Sequence, residues 1–322
     1  MKTMTYGEAI REGMSIRMRE NDNVLLFGED VGAFGGCFGV TAGMFAEFGE
    51  RRVRDTPISE GAIIGAAVGA AATGLLPIAE LMFCDFLTVG MDQLVNQAAK
   101  MRYMFGGEIS MPMVVRLPTG AGVGAAAQHS QSLEAWLTHT PGMKVVFPST
   151  AQDALGLMLS AIDDDNPVAY LEHKAMYAMK GEVANLDPIP LGKGDIKKEG
   201  GDITVIATGK VVHDALNAAA QLEKEGISLE VVDPRTLYPL DMELIARSLE
   251  KTHRALVATE ETKRGGYGGE ISARISEEYF DLLDGPVVRI GALNSPVPFA
   301  PVLEQYYLPS GADIVAAAKK MV

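Results

Sequence analysis

Cysteine is scarce in this chain: Cys37 and Cys84 are the only two among 322 residues, and no C-x-x-C occurs. That excludes a disulfide framework and a cysteine-based zinc pattern, and a reducing, cytoplasmic setting is expected. Positive charge is also in deficit, with 28 Lys and Arg against 42 Asp and Glu, for a net charge of −14. A surface of that sign cannot neutralise phosphates, which argues against nucleic acid and against anionic lipid as partners. The N-terminal M-K-T-M-T-Y-G-E-A-I-R-E-G has no apolar stretch of signal-peptide type, and Glu8 and Glu12 speak against an organelle transit peptide. Long apolar runs are few. The 19 uncharged residues between Glu60 and Glu80 approach spanning length, but they are mostly Ala and Gly and are broken by G-L-L-P near their end. They read as a tightly packed interior helix leading into a strand, not a membrane segment.

Several catalytic and nucleotide motifs are missing as well. There is no G-x-x-x-x-G-K-[ST] phosphate loop, no G-x-S-x-G elbow and no H-E-x-x-H. The string G-A-G-V-G-A at 120–125 has the outline of a dinucleotide fingerprint after the apolar M-V-V-R-L. The next strand, K-V-V-F-P-S, ends in Pro148 and Ser149 and not in the acidic residue a ribose would need, and the glycines run into Q-H-S-Q without a helix. Nicotinamide binding is therefore not expected of this chain.

What is present is apolar bulk: 48% hydrophobic residues and 22% charged ones, enough for a large core and two domains of ordinary size. Residues 5–20 predict a helix opened by Thr5, with Glu8 in capping-box spacing. V-L-L-F-G at 24–28 predicts a buried parallel strand, followed by the Gly-rich loop G-A-F-G-G-C-F-G. The small-residue segment 61–74 predicts a helix whose backbone can approach another helix or a cofactor closely. Strands are expected in 75–84, 111–117 and 144–147, with helix over 88–104. This alternation predicts an α/β fold with a mostly parallel sheet covered on both faces, over residues 1–180. Residues 181–200, rich in Gly, Pro and charge, predict a linker, and 201–322 a smaller α/β domain.

Two residues draw attention by position. Glu60, in T-P-I-S-E-G, stands at the mouth of the small-residue helix, and His129, in A-A-Q-H-S-Q-S, follows the Gly-rich turn. Taken alone, Glu60 reads as a first-turn carboxylate favoured by the helix dipole with Ser59 as cap, and His129 as a hydrogen-bonded structural histidine.

Their joint context changes that reading. F-G-E-D-V, D-T-P-I-S-E, L-M-F-C-D-F, Q-A-A-K-M-R-Y-M-F-G-G, A-A-Q-H-S-Q-S and H-T-P-G-M-K-V-V, then V-D-P-R-T-L-Y-P-L-D, G-G-Y-G-G-E-I and P-V-P-F-A-P-V-L-E, resemble in order the beta subunits of 2-oxo-acid dehydrogenases. The resemblance spans about residues 4–320. It implies a transketolase-like pyrimidine-binding domain plus a transketolase C-terminal-like domain, and thiamine diphosphate as cofactor. Glu60 matches the glutamate that hydrogen-bonds N1′ of the aminopyrimidine so that N4′ can remove the thiazolium C2 proton. Phe86 matches the aromatic packed on that ring, Ile58 a pocket-lining position, and Asp92 a carboxylate on an acidic path between paired sites. His129 matches the active-site histidine, an acid, base or hydrogen-bond donor to the substrate oxygen. The turn A-I-D-D-D-N-P resembles a potassium loop, with Met113, Ala161, Ile162, Asp164 and Asn166 as ligands; a polar helix-end turn is the alternative.

No G-D-G occurs, so the diphosphate and its Mg²⁺ are expected on an alpha subunit, in an α₂β₂ heterotetramer without which this chain is inactive. The resemblance assigns 201–322 to beta–beta contact and to docking on a lipoyl-bearing acyltransferase. I-A-E-L-M-F-C-D-F, E-H-K-A-M-Y-A-M-K-G-E-V and P-L-G-K-G-D-I-K-K-E-G are most similar to the acetoin-cleaving branch, which releases acetaldehyde and passes an acetyl group to lipoamide. The loop after Gly28 is shorter than in many members of that branch, so pyruvate or another 2-oxo acid is the alternative. A subunit that kept the fold without the chemistry is a further one.

Overall fold

The computed structural model describes residues 1–322 as two compact units, Met1–Thr119 with Trp136–Leu191, and Gly120–Ala135 with Gly192–Val322. In the first unit β1 (Lys2–Thr5) leads into α1 (Tyr6–Glu20), whose start is the expected capping box. Thr5 Oγ1 accepts the Glu8 N–H at 3.2 Å while Glu8 Oε2 accepts the Thr5 N–H at 2.7 Å. Next come β2 (Val24–Gly28), α2 (Met44–Phe48), β3 (Val53–Asp55), α3 (Glu60–Ala72) and β4 (Leu76–Glu80). A 3₁₀ turn at Cys84–Phe86 precedes α4 (Leu87–Met91), a π-helical stretch Asp92–Ala98 and α5 (Ala99–Met104). After β5 (Val114–Thr119) the chain forms α6 (Glu134–Thr138), β6 (Lys144–Val146), α7 (Ala151–Ile162), β7 (Val168–His173) and β8 (Lys180–Val183).

Strands pair in the order β6-β7-β5-β4-β2-β3, every pairing parallel. Both faces are covered, so β5 and β7 are buried at every residue, as inner strands of a parallel sheet are, the charged Arg116 and Glu172 included. Segment 88–104 is helical but not one α-helix. Its central turn widens to π geometry, a bulge often found at functional sites, and this sets Gln93 against the glycine face of α3, where a Cβ on Gly65 would lie 3.5 Å from Gln93 Cγ.

The second unit contains β9 (Asp195–Lys198), β10 (Ile203–Ala207), α8 (Val211–Glu223), β11 (Leu229–Asp233), β12 (Thr236–Tyr238) and α9 (Met242–Thr252). It continues with β13 (Ala255–Thr262), α10 (Gly268–Glu278), β14 (Val288–Ala292), α11 (Pro301–Tyr307) and α12 (Gly311–Ala318). Its sheet runs β14-β13-β10-β11-β9, parallel except for β9 at the edge.

The stretch 181–200 is more ordered than its composition suggests. β8 pairs antiparallel with β1, and β9 pairs antiparallel with β11, so strands distant in sequence supply the partners that local propensity lacks. No helix is long and apolar enough to cross a membrane.

Candidate functional site

In the first sheet, β3 lies on one side of β2 and β4 on the other, so the strand order reverses beside β2. In open α/β sheets ligands bind beyond the carboxyl ends of strands at such a reversal. The residues at these ends are Glu29 after β2, Thr56 after β3 and Glu80 closing β4. Thr56 is tied back to β2 by its N–H, which donates to the Gly28 carbonyl at 2.9 Å.

Glu60 is the first residue of α3 and only 8% exposed. Ser59 occupies the N-cap position, but its side chain makes no capping hydrogen bond; its carbonyl accepts the Ile63 N–H at 2.9 Å. The N-terminal N–H groups of α3 are thus left to other acceptors. Beside them Glu29 is buried, and its carboxyl is held above the ordinary range by burial first, then by the charges of Glu60 and Asp30. Glu29 Oε1, Thr56 Oγ1 and Gln93 Oε1 are buried without a hydrogen-bond partner. Three unsatisfied polar atoms around one helix end are costly unless a ligand meets them.

Phe86 is half-buried and meets Phe83 edge-on, with ring centroids 5.7 Å apart. Behind it Phe83 contacts Phe38 at 5.5 Å, and Phe38 stacks on Tyr177 at 5.2 Å. The helix following Phe86 lies against the first turn of α3: a Cβ on Gly61 would sit 3.5 Å from the Val89 carbonyl oxygen. Ile58, by contrast, is 82% exposed, a large apolar side chain left uncovered. Asp92 begins the π stretch and accepts from the Asn96 amide at 2.8 Å.

His129 is carried by the second unit. Its loop, 120–135, closes where the Gly120 N–H meets the Gln131 carbonyl at 3.4 Å, and Ala121 packs with Ala292, Val297 and Tyr307. The His129 N–H turns back to the Ala126 carbonyl at 3.3 Å, and the neighbouring Ser130 hydroxyl is buried without a partner. The glycines that resembled a dinucleotide fingerprint have their N–H groups engaged from within. Ala121 donates to Glu260 Oε1 at 2.7 Å, and Gly122 and Gly124 to the Glu304 carboxylate at 2.9 and 3.1 Å. Carboxylates of the same chain stand where a pyrophosphate would otherwise be held.

The five residues matched to a cation loop lie at the end of α7 and the starts of β5 and β7. Asp164 Oδ1 accepts both the backbone N–H and the side-chain amide of Asn166 at 2.9 Å, while its other oxygen pairs with the Lys144 ammonium. The Met113 carbonyl accepts the Val168 N–H at 2.9 Å, and Arg102 donates to Asn166 Oδ1 at 3.0 Å. No three His, Cys, Asp or Glu side chains are grouped to hold a metal ion.

Glu29 and Gln93 were not singled out by sequence reasoning. The signal for Glu29 was there, a carboxylate placed directly after the closing glycine of a buried parallel strand. Gln93 carried none, because only the π turn aims it at α3.

Residues 2–180 match the family described as transketolase, pyrimidine binding domain, and residues 192–314 the one described as transketolase, C-terminal domain. The chain is 50% identical to the acetoin:2,6-dichlorophenolindophenol oxidoreductase subunit beta of Bacillus subtilis (strain 168), over 100% of this chain and 98% of that protein. It is 46% identical to the 2-oxoisovalerate dehydrogenase subunit beta of the same organism, covering 100% and 99%. Among solved structures, a split gene transketolase, described as an inactive beta4 tetramer, matches with a TM-score of 0.81 at 26% identity, over 99% of this chain and 98% of that one.

Proposed function

Since this chain belongs to the beta subunits of thiamine-diphosphate-dependent, 2-oxo-acid-dehydrogenase-type enzymes, we propose that it is the beta subunit of an acetoin dehydrogenase. In that reaction the C–C bond of acetoin breaks, acetaldehyde leaves, and the retained two-carbon unit is oxidised to an acetyl group carried by reduced lipoamide of an acyltransferase component. Bound thiamine diphosphate supplies the carbon nucleophile and the electron sink.

The observation that carries the reading is the Glu60 carboxylate, buried at the head of α3 next to Glu29 and the unpartnered oxygens of Thr56 and Gln93. A carboxyl there can share a proton with the N1′ nitrogen of an aminopyrimidine, which is the requirement for general acid–base work on that ring. Phe86 offers a half-buried aromatic face for the same ring, and Ile58 an apolar contact. His129 is proposed as the group that donates to, or takes a proton from, the substrate oxygen.

Without a G-D-G motif, this chain leaves the Mg²⁺-bound diphosphate to an alpha subunit, in an α₂β₂ assembly. The surface supports partners. Phe299, Val302, Leu303 and Tyr306, on and beside α11, are exposed by 53–78% together. Such an apolar patch marks an interaction face. A potassium ion on the 161–167 turn would rest on Met113, Ala161, Ile162, Asp164 and Asn166. Lys144 pairs with Asp164 and Arg102 donates to Asn166, so the ion would compete with two cationic side chains for these oxygens.

The 46% identity to a 2-oxoisovalerate dehydrogenase subunit favours, as second reading, a 2-oxo-acid substrate such as pyruvate or a branched-chain analogue. The test is product analysis of the chain co-expressed with its alpha partner, with thiamine diphosphate and Mg²⁺. Acetaldehyde from acetoin is expected. Carbon dioxide from a 2-oxo acid, without acetaldehyde from acetoin, would keep the mechanism and overturn the substrate.

A further inference from the structure

The loop that carries His129 is built as an anion nest and is filled by the chain itself. Gly120, Gly122 and Gly124 adopt φ of 88°, 90° and 70°, left-handed values that alternate along the segment with its remaining residues. Alternation of this kind turns successive N–H groups toward one point and favours an anion there. The anion is Glu304, 4% exposed, whose Oε1 accepts from Gly122 at 2.9 Å and whose Oε2 accepts from Gly124 at 3.1 Å. Glu260 does the same for Ala121, and Glu261 holds the far end of the loop through the backbone of Ala135. Hydrogen bonds from amides to a buried carboxylate are roughly twice as strong as neutral ones, so one side chain on α11 fixes two backbone positions at once.

We propose that Glu304, seconded by Glu260, is a positioning residue for catalysis: its carboxylate occupies the nest at 121–124 and so sets the place of His129. This rests on the role given to His129 above. Glu304 does not touch substrate; it acts through the loop.

The experiment combines peptide-level hydrogen exchange on the full chain with steady-state kinetics of the alpha–beta complex, for Glu304→Ala and for the isosteric Glu304→Gln. Exchange across 120–128 is expected to quicken by about 10-fold or more while 201–258 is unchanged, and kcat to fall by about 10- to 100-fold with little change in KM. Added acetate, and not chloride at equal ionic strength, is expected to restore both in Glu304→Ala by refilling the nest. Should the alanine variant fail to fold, the glutamine variant carries the test. Unchanged exchange at 120–128, or exchange raised evenly across the second unit, overturns the proposal. Faster exchange with kcat unchanged overturns the positioning role of Glu304, and His129→Ala measured alongside separates that outcome from a failure of the role given to His129, since an unimpaired His129→Ala would remove that role itself.

Discussion

Arg116 grips Glu172 with two parallel hydrogen bonds, Nε to Oε1 at 2.7 Å and Nη2 to Oε2 at 2.8 Å, where neither side chain reaches solvent. Its remaining Nη1 pairs with Glu80, and Tyr177 donates to Glu172 at 2.8 Å. One guanidinium thus serves two carboxylates from neighbouring strands, and burial pushes the Glu80 carboxyl up against the pull of Arg116. Breaking a buried pair by removing one partner typically costs about 3–5 kcal/mol, because the other charge is stranded. Arg116→Met strands both. It should lower unfolding free energy, measured by urea titration, by about that amount, and by more than Glu172→Gln does. Equal effects from the two would mean that Glu80 is not held by Arg116.

Glu60→Gln keeps the shape of the side chain and removes the carboxyl that gives or takes a proton. With the alpha partner present, kcat should fall by about 100-fold or more, the range of general acid–base effects. The thermal midpoint of the chain should hardly change, since Glu60 makes no ion pair within it. Activity retained within a few-fold would remove Glu60 from the mechanism.

Gly90 permits the approach of α4 to α3. A Cβ at that position would lie 2.4 Å from Ile64 Cδ1 and 3.3 Å from the Glu60 carbonyl oxygen. Gly90→Ala should therefore destabilise by roughly 1–3 kcal/mol through overpacking. Ile64→Val removes the atom that clashes, so the double variant should lose less than the sum of the single losses. A double-mutant cycle reads the coupling directly, and strict additivity would show that the strain lies elsewhere.

Glu261 gives a pH signature. Burial pushes its carboxyl up to about 7, against the opposing effect of backbone N–H groups of Gly268, Tyr267 and Ala135. Between an unfolded value of 4.5 and that folded value, the native chain binds more protons than the unfolded one, so this group's contribution falls as pH rises through the interval. Glu261→Gln does not titrate. Its stability relative to wild type should rise between pH 4.5 and 8, by at most about 3 kcal/mol. Parallel stability curves for the two proteins would refute the assignment.

Much of the frame was legible in local chemistry. Thr5 and Glu8 announced α1, the run Val24–Gly28 announced a buried strand, and the Ala and Gly content of 61–72 announced a helix that others approach closely. Glu60 and His129 stand beside backbone features readable from residue type, but it is the resemblance to 2-oxo-acid dehydrogenase beta subunits that makes them acid–base candidates. The π turn at 92–98 was not legible, since a one-residue change in helical pitch leaves the apolar pattern almost intact. Nor were the partners of β8 and β9, which lie about 180 and about 35 residues away.

The sequence by itself determined the α/β class of the fold, the start of α1 and the absence of a G-D-G motif, because caps, glycines and apolar periods act over a few residues. Only the tertiary structure decided that the 120–135 loop joins the second unit, that Glu304 and Glu260 fill its nest, and that Glu29 lies beside Glu60. Those facts depend on which amide a carboxylate reaches across as many as 182 residues of chain. The fold sets such distances, and no local pattern in the chain encodes them.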